Sequence, residues 1–124
     1  MPVFILNYFE SFYKTKLQAA IGNQPRLIED GQNFLIEWEM DDKQKYSKAI
    51  RNALAYKKDE GKGTVFLIVA YNVTLVELVG VLMEMKMDYA LNLDGGYSTA
   101  LYYNGEYMFR AGRDIPNAIL FSQE

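Results

Sequence analysis

The sequence predicts an α+β domain: a mixed, hairpin-rich β-sheet with one well-defined buried helix near residues 75–87 and an N-terminal helix near residues 8–19. Three observations lead there. Asp30-Gly31 and Asn104-Gly105 each stand between β-forming runs, the local pattern of a tight hairpin. Thr64 to Ala70 is a continuous apolar run short enough to be a strand, and its apolarity on both faces predicts a central place in the sheet. Thr74 with Glu77 three residues later is a capping box at the head of an apolar stretch that reaches Met87.

Taken in order, Val3 to Leu6 reads as a short strand. Asn7 to Ala20 then carries Phe9, Tyr13 and Leu17 at helical spacing, with Asn7 and Glu10 as an N-terminal capping pair. Gly22-Asn23-Gln24-Pro25 breaks that pattern. Arg26 to Ile28 and Asn33 to Trp38 read as strands joined by the Asp30-Gly31 turn, and Asp41 to Tyr46 as a charged, solvated loop. Ala49 to Tyr56 and Thr64 to Ala70 form a hairpin around the charged turn Lys57 to Lys62. In the helix that follows, Glu77, Gly80, Glu84 and Asp88 make one narrow polar stripe, which predicts burial over most of its girth. Ser98 to Tyr103, Asn104-Gly105 and Glu106 to Arg110 form a second hairpin, and Ala118 to Ser122, after Pro116, a closing strand. The 124 residues fit one domain over 1–124, compact or truncated, since no linker or composition shift divides them.

Composition narrows the chemistry. A net charge of −3 and the absence of a Lys/Arg cluster argue against a nucleic-acid partner. Cysteine and histidine are both absent, which removes disulfides, thiolate metal sites, Ser-His-Asp and Cys-His catalysis and the usual zinc centres. Carboxylates, Tyr, Lys and Arg remain as catalytic groups. The apolar start, Met1 to Leu6, is too short for a membrane span and lacks the basic flank of a signal peptide, so the expected location is cytoplasmic if the chain is complete.

The densest chemical signal is Tyr89 to Asn104, where Asp94-Gly95-Gly96 interrupts two β-forming runs and Ser98 and Thr99 follow. A carboxylate beside two glycines places charge next to backbone that can approach a ligand closely. The same tripeptide can equally be a plain turn.

Several segments, in order, resemble the C-terminal half of the phosphodiester glycosidase domain, the family of the lysosomal enzyme that uncovers mannose 6-phosphate (an N-acetylglucosamine-1-phosphodiester α-N-acetylglucosaminidase) and of bacterial exopolysaccharide-associated relatives. Pro25 to Gly31 is similar to the family's Gly-Pro-Arg-Leu-Val-x-Asp-Gly segment, Arg51 to Tyr56 to its Arg-Thr-Ala-Ile-Gly strand, and Thr74 to Leu78 to its helix opening. Ala90 to Gly96 resembles its Asn-Leu-Asp-Gly-Gly-Gly-Ser signature, and Arg113 to Ile119 its closing Arg-x-Val-x-Asn-Ala segment. The likeness covers Ala20 to Phe121. Tyr97 stands where the family has a third glycine, and Asn23-Gln24 replace glycines before Pro25.

The resemblance implies hydrolysis of a sugar-1-phosphodiester with release of free sugar. On that basis Asp94 is the candidate base or nucleophile, and Asn92 orients it or a sugar hydroxyl. Arg51 and Arg113 clamp phosphate, Gly95, Gly96 and Ser98 give close backbone and hydroxyl contacts, and Tyr97 borders the substrate. Bland roles stand beside these: a turn-stabilising Asp94, an Asn92 satisfying buried backbone, and arginines in surface ion pairs. No cofactor is implied; calcium held by Asn92, Asp94 and Asp114 is a minor alternative. The expected partner is a sugar-phosphodiester or glycan, with no nucleic acid and no membrane span, in a homo-oligomer. The competing function is a catalytically inactive glycan- or protein-binding module that uses Tyr97, Tyr102, Tyr103 and Tyr107.

Overall fold

A computed structural model describes residues 10–12, 14–17, 19–35 and 39–123. Five antiparallel strands form the main sheet: β1 (Arg26–Glu29), β2 (Gln32–Asn33), β3 (Ala49–Asp59), β4 (Lys62–Val73) and β5 (Tyr89–Leu93), in the order β2-β1-β5-β3-β4. A separate hairpin pairs β6 (Leu101–Tyr103) with β7 (Glu106–Phe109). Among the described residues, a helical stretch at 10–12 is followed by the helices α1 (Asp42–Tyr46) and α2 (Leu75–Glu84). This is the sheet-dominated α+β class the sequence predicts.

The register explains how a helix and a sheet share one core. Ala53 lies opposite Ile68 and Asn92, and Ala55 opposite Phe66 and Ala90, so these positions share one face of the sheet. Leu75, Leu78, Val79 and Leu82 line one side of α2 and are buried with Leu27, Ala53, Ala55 and Ala90. Alanines on the sheet let the helix lie close, and each fully buried Leu or Val contributes about 1.5–3 kcal/mol. On the opposite face, Leu54 lies against Leu67 and Leu91, and Tyr56 against Val65 and Tyr89. These side chains border an open groove of about 500 Å³ that Phe121 also lines.

The two ends of the sheet differ. At the Tyr89 end, Asp88 ties three segments: its carboxylate accepts the Lys58 N–H at 2.7 Å, its own N–H donates to the Tyr56 carbonyl at 2.9 Å, and its carbonyl accepts the Gly31 N–H at 2.9 Å. The Tyr89 hydroxyl donates to Asp30. The opposite end, beyond Leu93, holds the Asp94 loop, the start of β3 and the segment before Pro25.

The capping box of α2 is formed as the sequence predicts. The Thr74 hydroxyl accepts the Glu77 N–H at 3.1 Å, and the Glu77 carboxylate accepts the Thr74 N–H at 2.9 Å while pairing with Lys48 at 3.2 Å. The backbone hydrogen bond from Thr74, followed by Lys48, holds the Glu77 carboxyl below its usual pKa. A depressed carboxylate contributes stability above its unfolded pKa, and that contribution is lost as pH falls through the folded value. Thr74→Ala, which removes the hydroxyl that accepts the Glu77 N–H, should lower stability by about 1 kcal/mol. Glu77→Gln should flatten the acid side of the stability curve; urea titrations from neutral pH down to the carboxylate range would check both.

Several expected elements differ. β4 is an edge strand among the described residues, not a central one; its second apolar face is the open one, with Val65 and Leu67 exposed. The sheet is antiparallel throughout rather than mixed: the β1–β2 and β3–β4 hairpins and the long-range pairings of β5 with β1 and β3 all run antiparallel. Asp41 to Tyr46 is a short helix, not a loop, because Asp41 and Gln44 form a capping box of their own. Helix α2 stops at Glu84, since Lys86 adopts a left-handed conformation, and it is buried on one side only: Val76, Val81 and Met85 are exposed.

The expected helix over 8–19 is helical at 10–12, whereas residues 14–17, 19 and 20 are turn or coil. Lys14 is left-handed and the Glu10 carboxylate accepts the Leu17 N–H at 3.1 Å, so the chain turns where the helix was expected to continue. Strand β2 ends at Asn33, whose side chain accepts the Leu35 N–H. Ser98 belongs to a single 3-10 turn (Gly96–Ser98), so the strand expected from Ser98 begins at Leu101. The closing segment from Ala118 to Ser122 is irregular, with no ladder partner among the described residues and Leu120 largely exposed. The expected strand Val3 to Leu6, the Asn7 cap and the stretch 36–38 lie outside the described residues. Among those described, no helix is long and apolar enough to cross a membrane.

Candidate functional site

Strand β5 delivers Asp94 to the end of the sheet, where Gly95 must pass close to β3. A Cβ on Gly95 would lie 2.5 Å from the Ile50 carbonyl oxygen and 3.5 Å from the Arg51 Cα, so only glycine fits without displacing backbone. Gly96 follows with φ +57°, the left-handed region that glycine adopts without steric cost, and starts the 3-10 turn. The Ser98 and Thr99 N–H groups then bond back to the Gly95 and Gly96 carbonyls at 3.2 and 3.1 Å.

The loop is tied to two distant segments. The Gly112 N–H donates to the Tyr97 carbonyl at 2.8 Å, and Arg113 Nε donates to Ser98 Oγ at 2.6 Å. A cation thus stands beside the Asp94 loop, its two terminal amino groups left over from that bond. On the other side, Asn23 Nδ2 lies 3.4 Å from Asp94 Oδ1, and Asn92 Nδ2 donates to the Gln24 carbonyl at 2.9 Å. Asp94 is exposed and therefore accessible to a solute.

Among the site residues expected from the sequence, the structure gathers Asn92, Asp94, Gly95, Gly96, Tyr97, Ser98 and Arg113 into this one end of the molecule. Arg51 contributes differently. Its backbone abuts Gly95, while its guanidinium donates to the Ser47 carbonyl at 2.9 Å and the Val73 carbonyl at 3.3 Å, tying the ends of β3 and β4 to the chain after α1. Partial burial lowers its pKa from the usual arginine value, and the group stays cationic at any physiological pH. Tyr97 is 80% exposed, yet its ring rests on Gly112: a Cβ there would come within 2.7 Å of Tyr97 Cδ1.

Two buried oxygens beside the loop have no hydrogen-bond partner among the described residues, Asn92 Oδ1 and Thr99 Oγ1, and Thr99 is wholly buried. Sequence reasoning missed the part of Asn23, which reads there only as a departure from glycine, and of Gly112, which reads as an ordinary loop residue. Neither carries a signal outside its three-dimensional contacts. For a metal, the donor set is thin: among the described residues no group of three or more acidic side chains converges, and the chain has no His or Cys.

Comparison with known proteins adds the following. A crystal structure described as a hypothetical protein from Synechocystis is similar to this chain at 26% identity with a TM-score of 0.60, over 73% of this chain and 18% of that one. The chain therefore spans less than a fifth of that protein's length. No curated protein matches significantly. The family model described as phosphodiester glycosidase matches residues 4–122, reaching further toward the N-terminus than the segments from Ala20 onward and including the Asp94 loop, its Arg113 partner and the capping box of α2. On that match, which takes in nearly the whole sequence, the chain belongs to the phosphodiester glycosidase family.

Proposed function

We propose that the chain hydrolyses a sugar-1-phosphodiester, with Asp94 as base or nucleophile at the anomeric carbon and Arg113 on the departing phosphate. The observation that carries this is the Arg113–Ser98 hydrogen bond, which joins a cation from near the C-terminus to the carboxylate loop after β5. The chemistry suits the residues. Water activated by Asp94, or Asp94 itself followed by water, bonds to the anomeric carbon as the bond from that carbon to the phosphate oxygen breaks. The leaving group departs as a phosphate monoester with a second pKa of about 6, so it needs no general acid at neutral pH, and a chain without histidine lacks nothing for this step.

Arg113 offers paired donors for phosphate oxygens, and the free N–H groups of the glycine turn add others. Asn92 orients Asp94 indirectly, its amide N–H holding the Gln24 carbonyl next to the Asn23 that contacts the carboxylate, and Gly96 leaves the space beside the turn open. Arg51, with three donors left after its two carbonyl bonds, supplies positive potential below the loop. The test is release of free N-acetylglucosamine from UDP-N-acetylglucosamine or from a methyl phosphodiester of the same sugar. Arg113→Gln should raise KM about tenfold with a smaller change in kcat, since one charged hydrogen-bond donor to an anion contributes about 1.5–3 kcal/mol. Absence of any sugar release by the purified wild-type chain sinks the hydrolase reading.

The exposed rings of Tyr97, Tyr102 and Tyr103 favour a second reading, a module that binds a glycan without turnover. Saturable binding of the same sugar phosphodiesters with no product would separate it from the first. In either case we take the working protein to be a homo-oligomer.

A further inference from the structure

We propose that two copies of this chain associate by antiparallel pairing of their β4 strands, with Ile68 facing its own counterpart across a twofold axis. This rests on the homo-oligomer reading and assigns it an interface. Strand β4 spans Lys62–Val73 and is bonded to β3 on one edge only; among the described residues no strand pairs with the other edge. An edge of this length is normally blunted by charge, proline or a bulge. From Gly63 to Val73 this one has no charged residue and no proline, and its register with β3 is uninterrupted from Lys62 through Ala70.

The occupant follows from what that edge can accept. It presents backbone donors and acceptors, which only another extended strand satisfies along its length. A second β4 meets it without like-charge contact, although each chain as a whole carries −3. Centring the pair on Ile68 sets Leu67 opposite Val69, Phe66 opposite Ala70 and Val65 opposite Tyr71. Every pair is then apolar, and residues facing each other share the same parity, so the core-facing row Phe66, Ile68, Ala70 continues across the axis. Leu67 and Val65, 40% and 45% exposed in the single chain, become covered by the partner. The register has a natural stop after Tyr71: Asn72 is left-handed, and there the pairing of β4 with β3 also shifts register between Ala70 and Val73. The contact is isologous, so it closes at two copies.

Size-exclusion chromatography with light scattering on the wild-type chain, on Leu67→Lys, on Val69→Glu and on an equimolar mixture of the two variants tests this. The expected wild-type result is a dimer. Each variant alone should dissociate, with the dimer dissociation constant raised about tenfold or more, because it places a lone charge in an apolar pair twice over. Mixing should restore a dimer of one chain of each kind, as Lys at 67 then faces Glu at 69. Far-UV circular dichroism and urea unfolding on each variant establish that the monomers are folded, and Val81→Lys on the exposed side of α2 should leave the dimer intact. A wild-type monomer at all concentrations overturns both the interface and the homo-oligomer reading. A dimer that persists in both variants overturns the interface alone, and loss without recovery on mixing overturns the pairing centred on Ile68.

Discussion

Asp94→Asn should reduce release of sugar by at least about a hundredfold while leaving the thermal midpoint within a few degrees of the wild type. The substitution keeps the shape of the side chain and removes the negative charge that accepts a proton from water or bonds to the anomeric carbon; losses of that order are usual when a group acting in proton transfer is removed. Stability should hold because the carboxylate is exposed and its contact with Asn23 Nδ2, at 3.4 Å, is weak. An amide oxygen can still accept from Asn23, so the loop needs no rearrangement. Measuring kcat together with a melting curve separates the roles: undiminished activity in the variant removes Asp94 from the chemistry, and a large drop in melting temperature would identify it as a turn-stabilising residue.

Gly95→Ala should be the most damaging single-methyl change at this end of the molecule, costing about 2–3 kcal/mol and most of the activity. The added carbon would sit 2.5 Å from the Ile50 carbonyl oxygen. That neighbour is backbone of β3, paired with β4 at Ala49 and Arg51 on either side of it, and it yields less easily than a side-chain tip would. Either β3 shifts or the Asp94 loop lifts away from it, and overpacking of this kind typically costs 1–3 kcal/mol. Gly96→Ala offers the contrast. Its Cβ meets nothing within 4 Å, and the penalty comes only from the left-handed φ of +57°, about 1 kcal/mol. Urea denaturation of the two variants should therefore rank Gly95→Ala well below Gly96→Ala, and a reversal would place the constraint in the turn itself.

What the sequence made legible is the local chemistry. The capping box at Thr74 and Glu77, the Asn104-Gly105 hairpin and the Asp94 turn are set by contacts within a few residues, and each appears where the pattern places it. Long-range arrangement was less readable. The apolar run in β4 resembles that of a strand buried on both faces, because nothing in its residues distinguishes a buried second face from one left open. The helix at Asp42–Tyr46 was hidden by composition: charged residues read as solvated loop, while the Asp41–Gln44 capping box that starts the helix is as local as the one at Thr74. The roles of Asn23 and Gly112 depend on partners 71 and 15 residues away, Asp94 and Tyr97, and no spacing rule reaches that far. Arg51 shows the intermediate case. Its place beside the loop was anticipated, but the two carbonyls that hold its guanidinium belong to Ser47 and Val73, outside the segment that brought it to notice.

The tip of the β3–β4 hairpin offers a practical handle. Glu60 and Gly61 are exposed, both take left-handed backbone, and they lie at the Asp88 end of the sheet, separated from the start of β3 by a strand about 30 Å long. A dye, an affinity tag or a short inserted peptide placed there would report on the molecule from the far side of the sheet, leaving the Asp94 loop clear for immobilised ligands or soaked crystals.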